Sequence, residues 1–347
     1  MTTPAYPPKP VPGDRVAVIS PSAALPGVLP LPYELGLERL RKEYGLEPVE
    51  FPATRRMGST PQERADDIHA AFTDPDVKAV MASIGGDDQI TVLPLLDREL
   101  IRANPKPFFG YSDNTNLLAY LWNTGIVGYH GASVMGELGR PGAMDPLTAE
   151  SLRAALFGSG EYVLRPAERW RDVDRDWADP ATFVSAPETR PGTGWTWVNA
   201  DRVVEGRSWG GCLEILAWLL MADREIPRDL SLHGGVLFLE TSEELPSGEE
   251  VFRVLRSMGE RGLLRRFSAL LMGRAKTWSF ERPNSPQEGA RYAAEQREAV
   301  LRAMRAYAPD TTIVFDVDLG HTDPQIVIPY GGVIRVDGPA RRITVTY

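Results

Sequence analysis

The first half of the chain alternates short apolar runs with stretches in which apolar residues recur at helical spacing. Residues 15–20, 77–84 and 108–109 are apolar runs bounded by proline, glycine or polar residues, as in buried strands. Residues 33–44 carry leucines and tyrosines at helical spacing, and residues 60–63 form a capping box with proline at the first helical position. The alternation predicts a parallel, doubly wound sheet and therefore an α/β fold.

The pattern changes between residues 165 and 194, where proline, tryptophan and charged residues replace the alternation. We therefore divide the chain into an N-terminal domain of residues 1–165, an interdomain linker and mobile loop of residues 166–194, and a C-terminal domain of residues 195–347. The second half then returns to regular patterns. Its predicted elements are a strand at residues 234–240, a capped helix at 247–258, a strand at 269–273, a capped helix at 285–307, a strand at 311–319 and a β-rich tail at 326–347.

Composition narrows the class of protein. At 347 residues the chain is long enough for two domains, and its 43% hydrophobic and 24% charged content is typical of a globular protein. The formal charge is -9 and no block of lysine or arginine occurs, so we expect no nucleic acid partner and no binding to anionic lipid. The only cysteine, Cys212, excludes an intrachain disulfide and a multi-cysteine metal site.

The sequence predicts no membrane span and no export. No apolar run approaches the length needed to cross a bilayer, and the first four residues lack the basic and apolar segments of a secretory signal peptide. A single cysteine also favours a reducing compartment. We therefore expect no membrane partner and a cytoplasmic location.

The turn after the third apolar run is a candidate site for a nucleophile. Ser112 follows this run and Gly110, and it precedes a helical segment that begins near Asp113. A strand that turns sharply into a helix exposes its turn residue at the carboxyl end of a sheet, where α/β proteins bind ligands. The alternative is that Ser112 is only a small turn residue beside a helix N-cap.

Candidates for a base and an acid also follow predicted strands. The chain has four histidines, and two of them, His130 and His321, come directly after strand patterns. Glu240 ends an otherwise apolar strand, where a lone buried carboxylate would be costly, although it could instead face water at the strand end. With Ser112 as nucleophile, Glu240 and His321 supply the orienting carboxylate and the base of a catalytic triad.

Backbone N–H groups near the same turn could stabilise an oxyanion. Asp113 at the helix start and Gly86 in the Gly85-Gly86 turn are the candidates. The chain order of serine, acid and histidine also fits an α/β-hydrolase, but residues 110–114 lack the second glycine of that family's nucleophile elbow. Metal catalysis has less support, because no His-Glu-x-x-His or paired-ligand spacing occurs.

At these residues the sequence resembles the LD-carboxypeptidase family of serine peptidases, and specifically its microcin C immunity (MccF-like) branch. The matching motifs, in family order, are residues 84–88, 110–117, 130–131, 210–214, 237–240 and 320–321. The resemblance implies a Rossmann-like, parallel-sheet N-terminal domain and a smaller, β-rich α/β C-terminal domain. It also implies a triad of Ser112, Glu240 and His321, a homodimer, and no metal or organic cofactor.

Two departures from the family pattern bear on function. The murein-recycling branch usually has Arg-Gly-Gly followed by Tyr-Gly where this chain has Ile-Gly-Gly-Asp-Asp at residues 84–88, which favours the microcin-type branch. The family commonly has asparagine where Cys212 stands. We therefore expect a serine carboxypeptidase or amidase that cleaves a small peptide or peptidyl-nucleotide amide through an acyl-enzyme. The alternatives are a murein tetrapeptide LD-carboxypeptidase of peptidoglycan recycling and a non-catalytic ligand-binding homologue.

The predicted substrate contacts are Gly85, His130, Trp195 and Trp197. The two tryptophans lie among glycines in residues 192–197, just past the predicted domain boundary. We interpret this segment as a loop that closes over Ser112 and offers an indole face to a nucleobase. The alternative is that both indoles fill the seam between the domains.

Overall fold

The structure, a computed structural model, describes residues 4–227 and 232–347. Its first half is an α/β layer around a parallel sheet. The strands of this half are β1 (Arg15–Ile19), β2 (Glu47–Glu50), β3 (Val77–Ala82), β4 (Phe108–Gly110) and β5 (Gly128–His130). The helices are α1 (Pro30–Lys42), α2 (Pro61–Thr73), α3 (Arg98–Ala103), α4 (Thr115–Thr124) and α5 (Pro146–Phe157). The five strands pair in parallel in the order β5-β4-β3-β1-β2, which confirms the predicted doubly wound sheet.

The remainder of the chain, from residue 161 onwards, is richer in strands. They are β6 (Glu161–Leu164), β7 (Arg169–Trp170), β8 (Arg190–Pro191), β9 (Thr196–Val198), β10 (Val203–Cys212), β11 (Gly235–Glu240), β12 (Phe267–Gly273), β13 (Thr312–Val317), β14 (Ile328–Tyr330), β15 (Val333–Asp337) and β16 (Arg342–Thr346). Its helices are α6 (Leu213–Met221), α7 (Gly248–Glu260) and α8 (Pro286–Tyr307). Eight of the strands form one sheet in the order β6-β16-β15-β10-β11-β12-β13-β9.

Local sequence explains why the central elements form. In the second sheet β10 to β13 run parallel, and every residue of β11 is buried, as a continuous apolar run predicts. Helices α2, α7 and α8 each begin at a capping box, with Thr60, Ser247 and Ser285 as the N-caps. Gly210 lets β10 approach β11, because a Cβ atom there would lie 1.7 Å from the carbonyl oxygen of Phe238.

The two sheets exchange strands, which the sequence division did not anticipate. Strand β6 lies within the predicted residues 1–165 but pairs with β16 of the second sheet. Strand β14 lies within the predicted residues 195–347 but pairs antiparallel with β5 of the first sheet. Short apolar strands carry no information about which sheet they join, since any exposed sheet edge can accept them. The buried apolar side chains accordingly form one cluster that spans both halves.

In the described ranges, no helix is both long enough and apolar enough to cross a membrane.

The strand exchange predicts that both halves unfold together. Tyr330 of β14 is fully buried in the first sheet, and its ring meets Phe238 of β11 edge-on at 5.5 Å. We expect Tyr330→Ala to lower the free energy of unfolding by about 3 to 5 kcal/mol, the usual cost of deleting a buried aromatic ring. Urea unfolding followed by both circular dichroism and tryptophan fluorescence measures this. Tyr330→Phe, which keeps the ring, is the control and should lose much less. Two separated transitions, with only one displaced, would contradict the coupling.

Candidate active site

Ser112 occupies a strained turn between β4 and α4. Its φ is +60°, in the left-handed region that residues other than glycine rarely adopt. The surrounding hydrogen bonds hold the turn, because the Asn114 amide donates to the carbonyl oxygens of Ile84 (3.1 Å) and Tyr111 (3.0 Å). The predicted sharp strand-to-helix turn is therefore present, with Ser112 at its apex.

The glycine turn after β3 leaves room for the Ser112 hydroxyl. A Cβ atom on Gly85 would lie 2.9 Å from both Cβ and Oγ of Ser112, and 3.6 Å from the backbone nitrogen of Asp113. Gly85, Gly86 and Ser112 all line one cavity of about 720 Å³. No hydrogen bond between described residues joins Ser112 Oγ to a histidine. The hydroxyl therefore lies at the cavity surface beside the glycine backbone.

Glu240 and His321 form a buried pair. Glu240 is the last residue of β11 and is fully buried, and its Oε2 lies 2.7 Å from His321 Nδ1. A Cβ atom on Gly320, whose φ is +86°, would lie 2.5 Å from that carboxylate oxygen, so a glycine is needed there. Because an ionised carboxylate only accepts hydrogen bonds, Nδ1 carries the proton of this contact. The other ring nitrogen, Nε2, is left to face the cavity that His321 lines.

A second carboxylate lies against Nε2 of the same ring. Glu243, in the loop after β11, places its Oε2 3.3 Å from His321 Nε2, and its side chain is 56% exposed. Burial lowers the pKa of His321, but the charges of Glu240 and Glu243 outweigh it and raise the pKa to about 9. The imidazole is therefore protonated at neutral pH in this state of the protein.

His130 lies behind the pair and not in the cavity. It is fully buried, and its Nε2 is 3.9 Å from Glu240 Oε1. Burial lowers the pKa of His130 to about 4, against the opposing effect of Glu240, so this ring is neutral. Neither ring nitrogen has a hydrogen-bond partner in the described chain, and His130 does not line the cavity. The structure therefore does not bring His130 to the cavity where a substrate contact was predicted, and instead pairs it with Ile328 of β14 beside Glu240.

The structure does not bring the two predicted tryptophans, Trp195 and Trp197, to the cavity either. Trp197 belongs to β9 and pairs with Val314 of β13, and Trp195 Nε1 donates to Asp318 Oδ2 at 2.9 Å. Both indoles pack against the second sheet, and neither lines the cavity at Ser112. The flanking glycines suggested a loop, but pairing with β13 extends the segment into an edge strand.

Trp177 is the tryptophan that lines the cavity, and it was not among the residues predicted from the sequence. It lies within residues 166–194, which were predicted to form a mobile loop. That prediction was the feature of the sequence that pointed to a role of this segment at the site. Two ion pairs hold this segment to the cavity wall: Arg171 contacts Asp323 at 2.8 Å, and Asp174 contacts Lys276 at 2.8 Å. Such long-range pairs leave no local pattern in the sequence.

Cys212 lies next to the buried acid. It pairs in register with Glu240 across β10 and β11, and its Sγ contacts Glu214 Oε2 at 3.5 Å. Where the family commonly has an asparagine amide, the side chain next to Glu240 is therefore a buried thiol. Over residues 4–227 and 232–347, no three His, Cys, Asp or Glu side chains are grouped as metal ligands.

An elbow serine and a carboxylate–histidine pair at one cavity of a two-domain α/β fold are the arrangement of a serine hydrolase. Comparison with protein families agrees. The model of the LD-carboxypeptidase N-terminal domain matches residues 16–131, and that of the LD-carboxypeptidase C-terminal domain matches residues 205–336. The chain belongs to the LD-carboxypeptidase family, a family of serine carboxypeptidases, and to its MccF-like branch.

Individual relatives cover nearly the whole chain. The microcin C7 self-immunity protein MccF of Escherichia coli is 26% identical over 342 residues, which are 96% of this chain and 93% of that protein. The murein tetrapeptide carboxypeptidase of Pseudomonas aeruginosa is 33% identical over 327 residues, 93% of each chain. The crystal structure of an MccF-like protein from Streptococcus pneumoniae in complex with AMP is 25% identical, with a TM-score of 0.84 over 96% of this chain and 99% of that one.

The two flanking carboxylates predict an unusual titration of His321. We expect its imidazole to titrate at about 9 in the ligand-free protein. Glu240→Gln should lower this pKa, because it removes the nearer of the two negative charges. The measurement is a pH titration of histidine ring signals by NMR. Only four histidines have to be assigned, and His321→Gln identifies the signal. A titration at or below the ordinary histidine value of about 6.5 would show that the pair does not form in solution.

Proposed function

We propose that the protein is a serine carboxypeptidase or amidase of the microcin C immunity type, which cleaves a small peptide or peptidyl-nucleotide amide through an acyl-enzyme. One observation supports this most directly: Ser112 and His321, which come from separate halves of the chain, line one cavity, and Glu240 is bound to His321 behind it. The family relationship supports the same reaction class.

In the proposed reaction, Ser112 Oγ attacks the scissile carbonyl carbon while His321 Nε2 takes the hydroxyl proton. Glu240 holds the proton on Nδ1 and stabilises the imidazolium that forms. The imidazolium then gives its proton to the leaving amine as the C–N bond breaks, which leaves an acyl group on Ser112. Water, deprotonated by His321, hydrolyses this ester. Closer contact between Ser112 and His321 is expected once substrate is bound, since hydrogen bonds between catalytic groups are often long in apo structures.

The oxyanion of this reaction would face the glycine turn. Within the described residues, the backbone N–H groups of Gly86 and Asp113 donate no hydrogen bond, so both are free to receive a negative oxygen. Gly86 lines the cavity, and the backbone nitrogen of Asp113, the residue after Ser112, would lie 3.6 Å from a Cβ atom on Gly85. We therefore assign these two donors to the oxyanion hole.

The nucleotide part of the proposal is supported by aromatic side chains at the cavity. Trp177 and Phe280 line it, and Phe280 is 61% exposed. The relative from Streptococcus pneumoniae was solved with AMP. Stacking of a nucleobase on an aromatic ring contributes roughly 1 to 3 kcal/mol. Trp177 is the side chain to which we assign this contact.

The reaction assignment predicts that Ser112→Ala abolishes turnover, with a loss of up to about 10⁶-fold in kcat. The test is a mass-spectrometric turnover screen of peptidyl-adenylates beside a murein tetrapeptide. Ser257→Ala, at an exposed position of α7, is the matched control and should keep full activity. Turnover by Ser112→Ala near the parent rate would refute a serine mechanism. Turnover of the tetrapeptide alone would move the assignment to murein recycling, and no turnover by any form would favour a ligand-binding homologue.

The nucleotide assignment predicts a selective effect of Trp177→Ala. We expect kcat/KM for a peptidyl-adenylate to fall by about one to two powers of ten, and kcat/KM for a murein tetrapeptide, which has no ring to stack, to change little. Trp195→Ala is the control, since that indole lies away from the cavity. Melting temperatures establish that each variant folds. Equal losses on both substrates with Trp177→Ala would remove the stacking argument.

A further inference from the structure

Glu243 occupies the position that the catalytic proton transfer needs. In the proposed reaction His321 Nε2 accepts the proton of Ser112, yet in the structure this nitrogen faces Glu243 Oε2 at 3.3 Å. The imidazole is thus held between two carboxylates, with Glu240 on Nδ1 at 2.7 Å. A ring held in this way keeps both protons and cannot act as a base. Something has to separate Glu243 from His321 before catalysis.

The loop that carries Glu243 is fixed, while the side chain of Glu243 is free to turn. Glu214 of α6 accepts hydrogen bonds from the backbone nitrogen (2.8 Å) and the hydroxyl (2.7 Å) of Ser242. The Ser242 hydroxyl in turn accepts from the backbone nitrogen of Glu244 at 3.2 Å. The backbone on both sides of Glu243 is therefore held, and its half-exposed side chain points into the cavity. Rotation of the side chain alone would take the carboxylate off the imidazole.

This part of the cavity has an excess of negative charge. Glu243, Glu244 and Asp87 line it together, and burial with the charges of Glu243 and Asp87 raises the pKa of Glu244. Lys276 on the same wall is already bound to Asp174 and to a backbone carbonyl. A positively charged ligand group would meet three carboxylates here.

We propose that Glu243 binds a cationic group, an ammonium or guanidinium, on the acyl portion of the substrate, and that this ion pair releases His321 Nε2 for catalysis. This inference rests on the proposed function and names the substrate class: amides whose acyl residue carries a free amine or a basic side chain. When the cation pairs with Glu243, the imidazolium keeps only Glu240 as its partner. Its Nε2 proton passes to solvent, and the neutral nitrogen then accepts the Ser112 proton.

The other titratable groups around the imidazole of His321 do not occupy Nε2 as Glu243 does. The titratable groups that face His321 are Glu240 from β11, Glu243 and Glu244 from the following loop, Glu214 from α6, Tyr111 from the elbow and His130 from β5. Of these, only Glu243 contacts Nε2. A substrate that carries no cation leaves this contact in place. Its turnover therefore has to wait for the higher pH at which His321 loses its proton.

The test compares four hydrolysable adenosine sulfamates that differ in the acyl group: lysyl, norleucyl with a free α-amine, N-acetyl-norleucyl, and N-acetyl-glutamyl. At about neutral pH we expect kcat/KM to be at least about tenfold higher for the acyl groups that carry a cation. The lysyl and norleucyl arms show whether a side-chain or an α-ammonium is the preferred cation. Glu243→Gln should reduce the difference to about threefold or less. Glu298→Gln, which removes one exposed negative charge on α8, should leave it unchanged.

The pH profile of kcat/KM distinguishes this role of Glu243 from a purely structural one. For N-acetyl-norleucyl substrate, the acid limb of kcat/KM should follow His321 near pH 9 in the parent and lie at clearly lower pH in Glu243→Gln. The same charge preference and the same acid limb in both proteins would overturn the proposal.

An NMR titration of His321 in Ser112→Ala, with and without the lysyl compound, decides the matter independently of turnover. The compound should lower the pKa of His321 in this variant and should leave it unchanged when Glu243→Gln is added. No effect of the compound would overturn the proposal. The lysyl compound could lower the pKa of His321 in a protein that hydrolyses none of the four adenosine sulfamates. This result would support the release of His321 from Glu243 and would refute the proposed reaction.

Discussion

The buried carboxylate of Glu240 is the constraint around which the site is organised. A fully buried carboxylate is costly unless it is paired, and His321 at 2.7 Å is its partner. The surrounding backbone is shaped to leave room for this pair. Cβ atoms on Gly273 and Gly320 would lie 2.8 Å and 2.5 Å from Glu240 side-chain atoms. Because β11 is central in the parallel part of the second sheet, the carboxylate position is fixed by pairing with β10 and β12 on both sides.

The candidate residues that follow strands could be selected from the sequence, and the structure places them near one another. Ser112, Glu240 and His321 each come after an apolar run, and the carboxyl ends of parallel strands are where α/β sheets bind ligands. The sequence did not reveal Trp177 or Glu243, because ion pairs and loop hydrogen bonds between distant segments place them. Trp195 was predicted to lie in a loop because of the surrounding glycines, whereas the residues that follow it pair with β13 as an edge strand. The local sequence pattern likewise did not indicate which sheet β6 and β14 join.

The cavity at Ser112 offers two kinds of surface. Glu243, Glu244 and Asp87 contribute negative charge, while Trp177 and Phe280 contribute apolar surface. A peptidyl-nucleotide carries groups that suit both, an amine-bearing acyl group and an aromatic base. Glu243 lies 3.3 Å from His321 Nε2, and its charge adds to that of Glu240 in raising the pKa of the imidazole. In the mechanism that we propose, substrate selection and activation of the base are linked through this one carboxylate.

If Ser112 is the nucleophile, it becomes acylated during turnover, and the acyl-enzyme can be trapped. Protein mixed with a hydrolysable aminoacyl adenosine sulfamate is quenched in acid within the first turnover, and the adduct is located by peptide mass spectrometry. We expect a mass gain equal to the acyl group on the peptide that contains Ser112, and no gain in Ser112→Ala. Hydrolysis without any adduct, or an adduct on another residue such as Cys212, would contradict it.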